Sequence, residues 1–259
     1  MGNKTKPPTT HSDARRAFLG TAGSLTAASL LGWPRASPAQ DVRGPGCVEP
    51  SLLVDGFELP FSGCTLVPQE IVGPYPLYTV LSNPTYTRRD ITEGRAGVRL
   101  QLRFHLVDTS ANCAPIADAG IYLWQCDLDG GYSGYTMPDG TDNRGLTFLR
   151  GLQYTDCHGE AVFDTIYPGW YPGRTTHLHL QVYLDSLGSI TATTQLVFPD
   201  AVNQAVYASL LYAGNGQNTS VPSNAQDGSF ADGFARQLIT TGGSPDQGYV
   251  GRLVLGVAG

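Results

Sequence analysis

A chain of 259 residues, 41% of them hydrophobic, is long enough to bury one sizeable core. Its formal charge of -6 and pI near 5.2, with Lys and Arg scattered, leave no basic patch for a phosphate backbone. Nucleic acid is therefore excluded as an expected partner.

The first segment, residues 1–39, reads as an address. Arg15 and Arg16 stand ahead of Phe18 and Leu19, a weakly apolar run follows, and small residues precede Gln40. This is the twin-arginine export pattern, with cleavage expected near Ala39 and a periplasmic or secreted destination. The run is too short and glycine-rich to span a bilayer, and no later stretch could, so no membrane span is expected in the mature chain. Residues 40–259 are expected to form a single domain, entered by a Pro- and Gly-rich arm over residues 41–80. Export permits disulfides among Cys47, Cys64, Cys113, Cys126 and Cys157, and the odd count leaves at least one thiol free or shared between chains. A Cys47–Cys64 bridge would tie the arm down.

From Val98 onward apolar residues alternate with polar ones. "VRLQLRFHLVD" is a half-buried strand, followed by "AGIYLWQCDL", "GEAVFDTIYP", "TTHLHLQVYL", "TTQLVFP" and "GYVGRLVLGV". Turn signals such as "DGG", "PDG" and "CHG" separate them. Helical spacing occurs at residues 200–213, with Asp200 at its start. The polar stretch "GNGQNTSVPSNAQDG" reads as a loop, and its formal glycosylation sequon at Asn218 is read as loop too. These elements make an all-β sandwich or barrel with long functional loops.

Within the fourth strand, His177 and His179 fall on one face while Leu178 and Leu180 fall on the other. Two imidazoles on one face can share a metal ion, although zinc hydrolases, cupins and plain buried strands all use such pairs. No carboxylate follows at ligand spacing. Tyr171 lies six residues upstream in "GWYPGRTTH", and a second turn, "DGGYSGY", offers Tyr132 and Tyr135. Phenolate is a hard anionic donor, so two phenolates with two imidazoles would favour ferric over ferrous iron.

Several stretches in order resemble the intradiol ring-cleavage dioxygenases: "VPQEIVGPYPL", "RRDITEGRAGVRLQLRFHLVD", "CAPIADAGIYLWQCDLDGGYSGY", "FLRGLQYTDCHGEAVFDTIYPGWYPGRTTHLHL" and "TTQLVFPD". The likeness covers roughly residues 60 to 200, and "FLRG" and "PGWY" with "GRT" resemble the exported branch. It implies a β-sandwich of mixed-topology strands whose long loops form the metal site. It also implies Fe(3+) held by Tyr132, Tyr171, His177 and His179, with Tyr132 preferred to Tyr135 because it stands eight residues after Trp124. Tyr171 would be the tyrosine released when substrate binds, while Arg174 and Gln195 would stabilise negative charge on the ring. Tyr75 would line the mouth of the pocket or simply pack, and Trp124 and Trp170 would be core or wall residues. The implied partners are a small catechol-type aromatic and O2, with muconate-type diacids as products.

The segment from Tyr171 to His177 is shorter than in protocatechuate-cleaving members, and the helical dimerisation region of catechol-cleaving members has no counterpart. Quaternary structure stays open. Two other readings stand beside this one: a zinc-dependent hydrolase using the histidine pair, and an exported β-sandwich module that binds an aromatic or a polymer.

Overall fold

The computed structural model describes residues 64–185 and 187–259; the expected export segment, Cys47 and the first part of the arm lie outside these residues. The described residues form two sheets. One contains β1 (Arg99–Asp108), β2 (Ala114–Pro115), β5 (Glu160–Ile166), β8 (Thr240–Ser244) and β9 (Gly248–Val257), in the order β2-β1-β9-β8 with β5 also paired to β1. The other runs β4-β3-β6-β7, from β3 (Gly120–Trp124), β4 (Arg150–Tyr154), β6 (His177–Tyr183) and β7 (Ala192–Val197). Only the β1–β9 pair is parallel among these pairings. The result is the expected all-β sandwich of mixed topology.

The alternation in β1 does what its period predicts: Leu100, Leu102, Phe104 and Leu106 are buried and face the other sheet. They share one core cluster with Ile121 and Leu123 of β3, Phe163 of β5 and Leu178, Leu180 and Val182 of β6. Each buried aliphatic side chain contributes about 1.5–3 kcal/mol relative to exposure. β6 departs from simple alternation, because every one of its residues is buried. Its outward face lies beneath a second cluster built from Tyr122, Trp124, Tyr132 and Tyr183, against which Val72, Tyr75 and Leu77 of the arm pack.

Three strands lack a sequence signal. β2 has two residues, β8 reads "TTGGS", and β4 reads "RGLQY" with an arginine where an apolar residue is expected. The expected helix over residues 200–213 is shorter: α1 spans Asp200–Tyr207 and the chain then continues in turns. Leu210 and Leu211 face solvent, so there is no buried stripe to extend it. Tyr212 instead turns inward, its hydroxyl donating to Tyr167 O at 2.5 Å. Among the described residues, no helix is long and apolar enough to cross a membrane.

The expected Cys47–Cys64 bridge is corrected: Cys64 pairs with Cys113, across 49 residues. Sequence distance favoured the near cysteine, but the fold brings the start of the arm to the end of β1, where Val67 N donates to Gly256 O and Leu66 bridges β9. Cys157 is also disulfide-bonded, and Cys126 is the buried free thiol. Peptide mapping without reduction should recover Cys64 linked to Cys113, and Cys113→Ala should lower unfolding stability by about 2–4 kcal/mol in urea titrations.

Candidate metal centre

Strand register places the site. His179 stands between Trp124 of β3 and Gln195 of β7 as a cross-strand neighbour of both, and His177 opposes Val197. Cross-strand partners share a face, so the two imidazoles, Trp124 and Gln195 all point outward from the core. Both histidines are buried. Nδ1 of His177 lies 2.7 Å from Thr175 O; a proton held there leaves the Nε2 lone pair free. The His179 ring lies flat on Trp124, with centroids 5.0 Å apart and planes within 6°. Gly73, at φ +80°, borders the same ring, and a Cβ there would fall 2.7 Å from His179 Cε1. Packing from two directions thus orients an imidazole whose Nδ1 has no hydrogen-bond partner among the described residues.

Both expected tyrosines join the histidines. Tyr132 Oη is 3.2 Å from His179 Nε2, and Tyr171 Oη is 3.1 Å from His177 Nε2. The histidine rings lie 4.9 Å apart and the tyrosine rings 6.0 Å apart, so four donor atoms form one connected group. Tyr135 goes elsewhere: its hydroxyl donates to Pro76 O and its ring meets Tyr75 edge-on. Tyr75 stacks on Tyr132 at 4.7 Å and backs that ring. Trp170 is half-buried and donates its indole N–H to Gly216 O, which ties it to the loop that follows α1.

Arg174 reaches the group from the side. Its NH1 is 3.4 Å from His177 Nε2, its NH2 donates to Gln195 Oε1 at 2.5 Å, and Gln195 in turn donates to Ile71 O at 2.8 Å. Three residues holding this segment were read in the sequence only as parts of a loop. Asp227 takes the Arg174 Nε–H, Asn224 accepts from Thr175 Oγ1, and Asn218 donates to Arg174 O. They come from the polar loop after α1, where Asn and Asp read only as turn formers. The Asn218 side chain also accepts from Ser220 and Val221, so the sequon serves as a loop clasp.

Electrostatically, the group is held neutral. Burial, with the neighbouring Arg174 charge, depresses His177 from 6.5 to about 3, and burial with His177 beside it lowers His179 as well. Burial raises Tyr171 to about 12, and burial together with Tyr171 raises Tyr132 far above the usual phenol range. Neutral imidazole is the metal-binding form, whereas each phenol must surrender a proton to a cation before it can ligate.

No protein-family model and no curated protein matches the chain. A solved intradiol ring-cleavage dioxygenase from Tetranychus urticae is 30% identical, with a TM-score of 0.67, over 75% of this chain and 95% of that one. The chain belongs to the intradiol ring-cleavage dioxygenases. Two more distant structures show the same fold at 24% identity. One is the dioxygenase domain of a carbohydrate-binding fusion from Streptomyces sp. SirexAA-E, with a TM-score of 0.52 over 75% of this chain and 99% of that one. The other is 3-chlorocatechol 1,2-dioxygenase from Rhodococcus opacus 1CP, with a TM-score of 0.50 over 74% and 72%. The enzyme therefore opens an aromatic ring between two hydroxylated carbons with O2, and the reading as a non-catalytic binding module is set aside. The zinc-hydrolase reading needs a third His, Cys, Asp or Glu ligand, and among the described residues no such group of three occurs.

The buried histidines make the metal-free dioxygenase acid-sensitive. His177 binds a proton near 6.5 when unfolded but near 3 when folded, so its contribution is full above 6.5 and is lost as pH falls toward 3. The unfolding free energy of metal-free protein, from urea titrations, should fall below pH 6.5 by up to about 1.4 kcal/mol per pH unit from His177, with His179 acting in the same direction. His177→Asn should make that slope shallower.

Proposed function

We propose that the enzyme works with a ferric ion held by Tyr132, Tyr171, His177 and His179, and that its substrates are catechol-type aromatics converted to muconate-type diacids. The observation that carries this reading is the convergence of two imidazole Nε2 atoms and two phenol oxygens in one buried group, with pair distances of 3.1 and 3.2 Å. Two hard anionic oxygens beside two imidazole nitrogens suit a hard trivalent cation better than a softer divalent one. Bound Fe(3+) supplies Lewis acidity toward the two catechol oxygens, which makes the ring reactive to O2.

The protein's own groups do the rest. Tyr171, the less buried phenol, sits on the loop beside Arg174, and its Oη accepts a substrate hydroxyl proton. Tyr132, wholly buried and backed by Tyr75, keeps its place. The Arg174 guanidinium faces the same space and stabilises negative charge that builds on the ring, with Gln195 holding one of its nitrogens. Export by the twin-arginine route, carried by Arg15 and Arg16, would bring the enzyme to lignin-like or plant phenolic fragments outside the cytoplasm.

Iron-loaded enzyme should be red to burgundy from tyrosinate charge transfer, and colourless protein with full iron content would refute the two-tyrosinate site. Tyr171→Phe should keep iron and part of the colour while slowing catechol binding and turnover; Tyr132→Phe should lower iron content itself. Replacing Arg15 and Arg16 with lysine should leave folded enzyme inside the cell, read by fractionation.

A further inference from the structure

The loop over residues 214–230 lies beyond the stretches that carry the family likeness, yet it closes on Arg174. Asp227 is buried, and its carboxylate takes Arg174 Nε–H at 2.9 and 3.1 Å from its two oxygens. The same carboxylate accepts Thr175 N at 2.8 Å and Ser229 N at 2.9 Å. Burial opposes its ionisation, but these N–H groups and the guanidinium more than offset that, and the carboxyl titrates below its usual value.

Arg174 is thereby held on two sides. Asp227 fixes Nε, Gln195 fixes NH2, and the remaining nitrogen, NH1, lies 3.4 Å from His177 Nε2. Its backbone is pinned as well, by Asn218 Nδ2 at 2.8 Å. A free arginine side chain carries rotamer entropy, which must be removed before the guanidinium can act as a directed donor.

We propose that Asp227 is the positioning residue of the reaction: it aims the NH1 edge of Arg174 at the substrate space before substrate arrives. This rests on the reading of Arg174 as the group that stabilises charge on the ring. Orientation, not charge alone, is then what Arg174 contributes. A lysine could supply the charge but has no Nε–H for Asp227 to hold while a second nitrogen faces the ring.

The test uses iron-loaded full-length enzyme and catechol, and compares Asp227→Asn, Arg174→Lys, Arg174→Met and the double variant Asp227→Asn/Arg174→Met. Iron content and the tyrosinate absorption report the metal site, while kcat and KM report the reaction. Asp227→Asn should keep iron and absorption, lower kcat about 10- to 100-fold with less change in KM, and add little to Arg174→Met. Arg174→Lys should lose as much kcat as Arg174→Met. An equal fold-loss from Asp227→Asn with and without Arg174 would overturn the proposal, as would wild-type kcat in Arg174→Lys. The lysine variant decides alone should Asp227→Asn fail to fold. Wild-type kcat in Arg174→Met would instead remove the role of Arg174 itself, a result distinguishable from failure of the positioning role.

Discussion

β6 is buried on both faces, and the site exists because of it. Leu178, Leu180 and Val182 anchor the strand in the sandwich core, which leaves His177 and His179 no choice but the opposite face. On most half-exposed strands that face meets water. Here Trp124, Tyr132 and the arm residues Tyr75 and Leu77 cover it, so the imidazoles are desolvated and held neutral. A one-residue slip of β6 would exchange leucines for histidines and destroy core and site together.

The tyrosines depend on a second constraint, the contact between two loops. Gly169 N donates to Asp127 O, and Gly130, at φ +85°, lies so close to Trp170 that a Cβ would fall 2.6 Å from its carbonyl oxygen. This apposition of backbone on backbone brings the turn carrying Tyr132 against the loop carrying Tyr171. Arg150 completes the frame from beneath. It is wholly buried, and its guanidinium donates to neutral oxygens: Ser133 Oγ and Ser133 O, and Tyr75 O. One cation thus links β4, the tyrosine turn and the arm, and hydrogen bonds to a charged donor are stronger than neutral ones.

Positioning of the histidines, Tyr171 and Arg174 therefore comes from three regions. β6 and β7 supply His177, His179 and Gln195 from a hydrogen-bonded sheet, the loop over residues 167–176 supplies Tyr171 and Arg174, and the polar segment after α1 clasps that loop through Asn218, Asn224 and Asp227. The loop between Tyr171 and His177 is short, and the clasp adds Asp227 and Asn218 to the hold that Gln195 of β7 has on Arg174. Tyr171 on this loop is only partly buried, whereas Tyr132 is enclosed.

Local pattern was enough to read the strands that carry the core, since Leu100, Leu102, Phe104 and Leu106 alternate, and to place both histidines on one side of β6, because side-chain direction along a strand follows from spacing alone. Order along the chain likewise carried the likeness that pointed to Tyr132, Tyr171, Arg174 and Gln195. It could not show that β4 exists, because its arginine is satisfied by partners up to 75 residues away, nor that Cys64 reaches Cys113. Nor could it single out Asp227 among the turn-forming residues of a polar loop. Its role arises from a contact with Arg174, 53 residues away, and a contact at that distance is decided by how two sheets and their loops pack, not by the residues on either side.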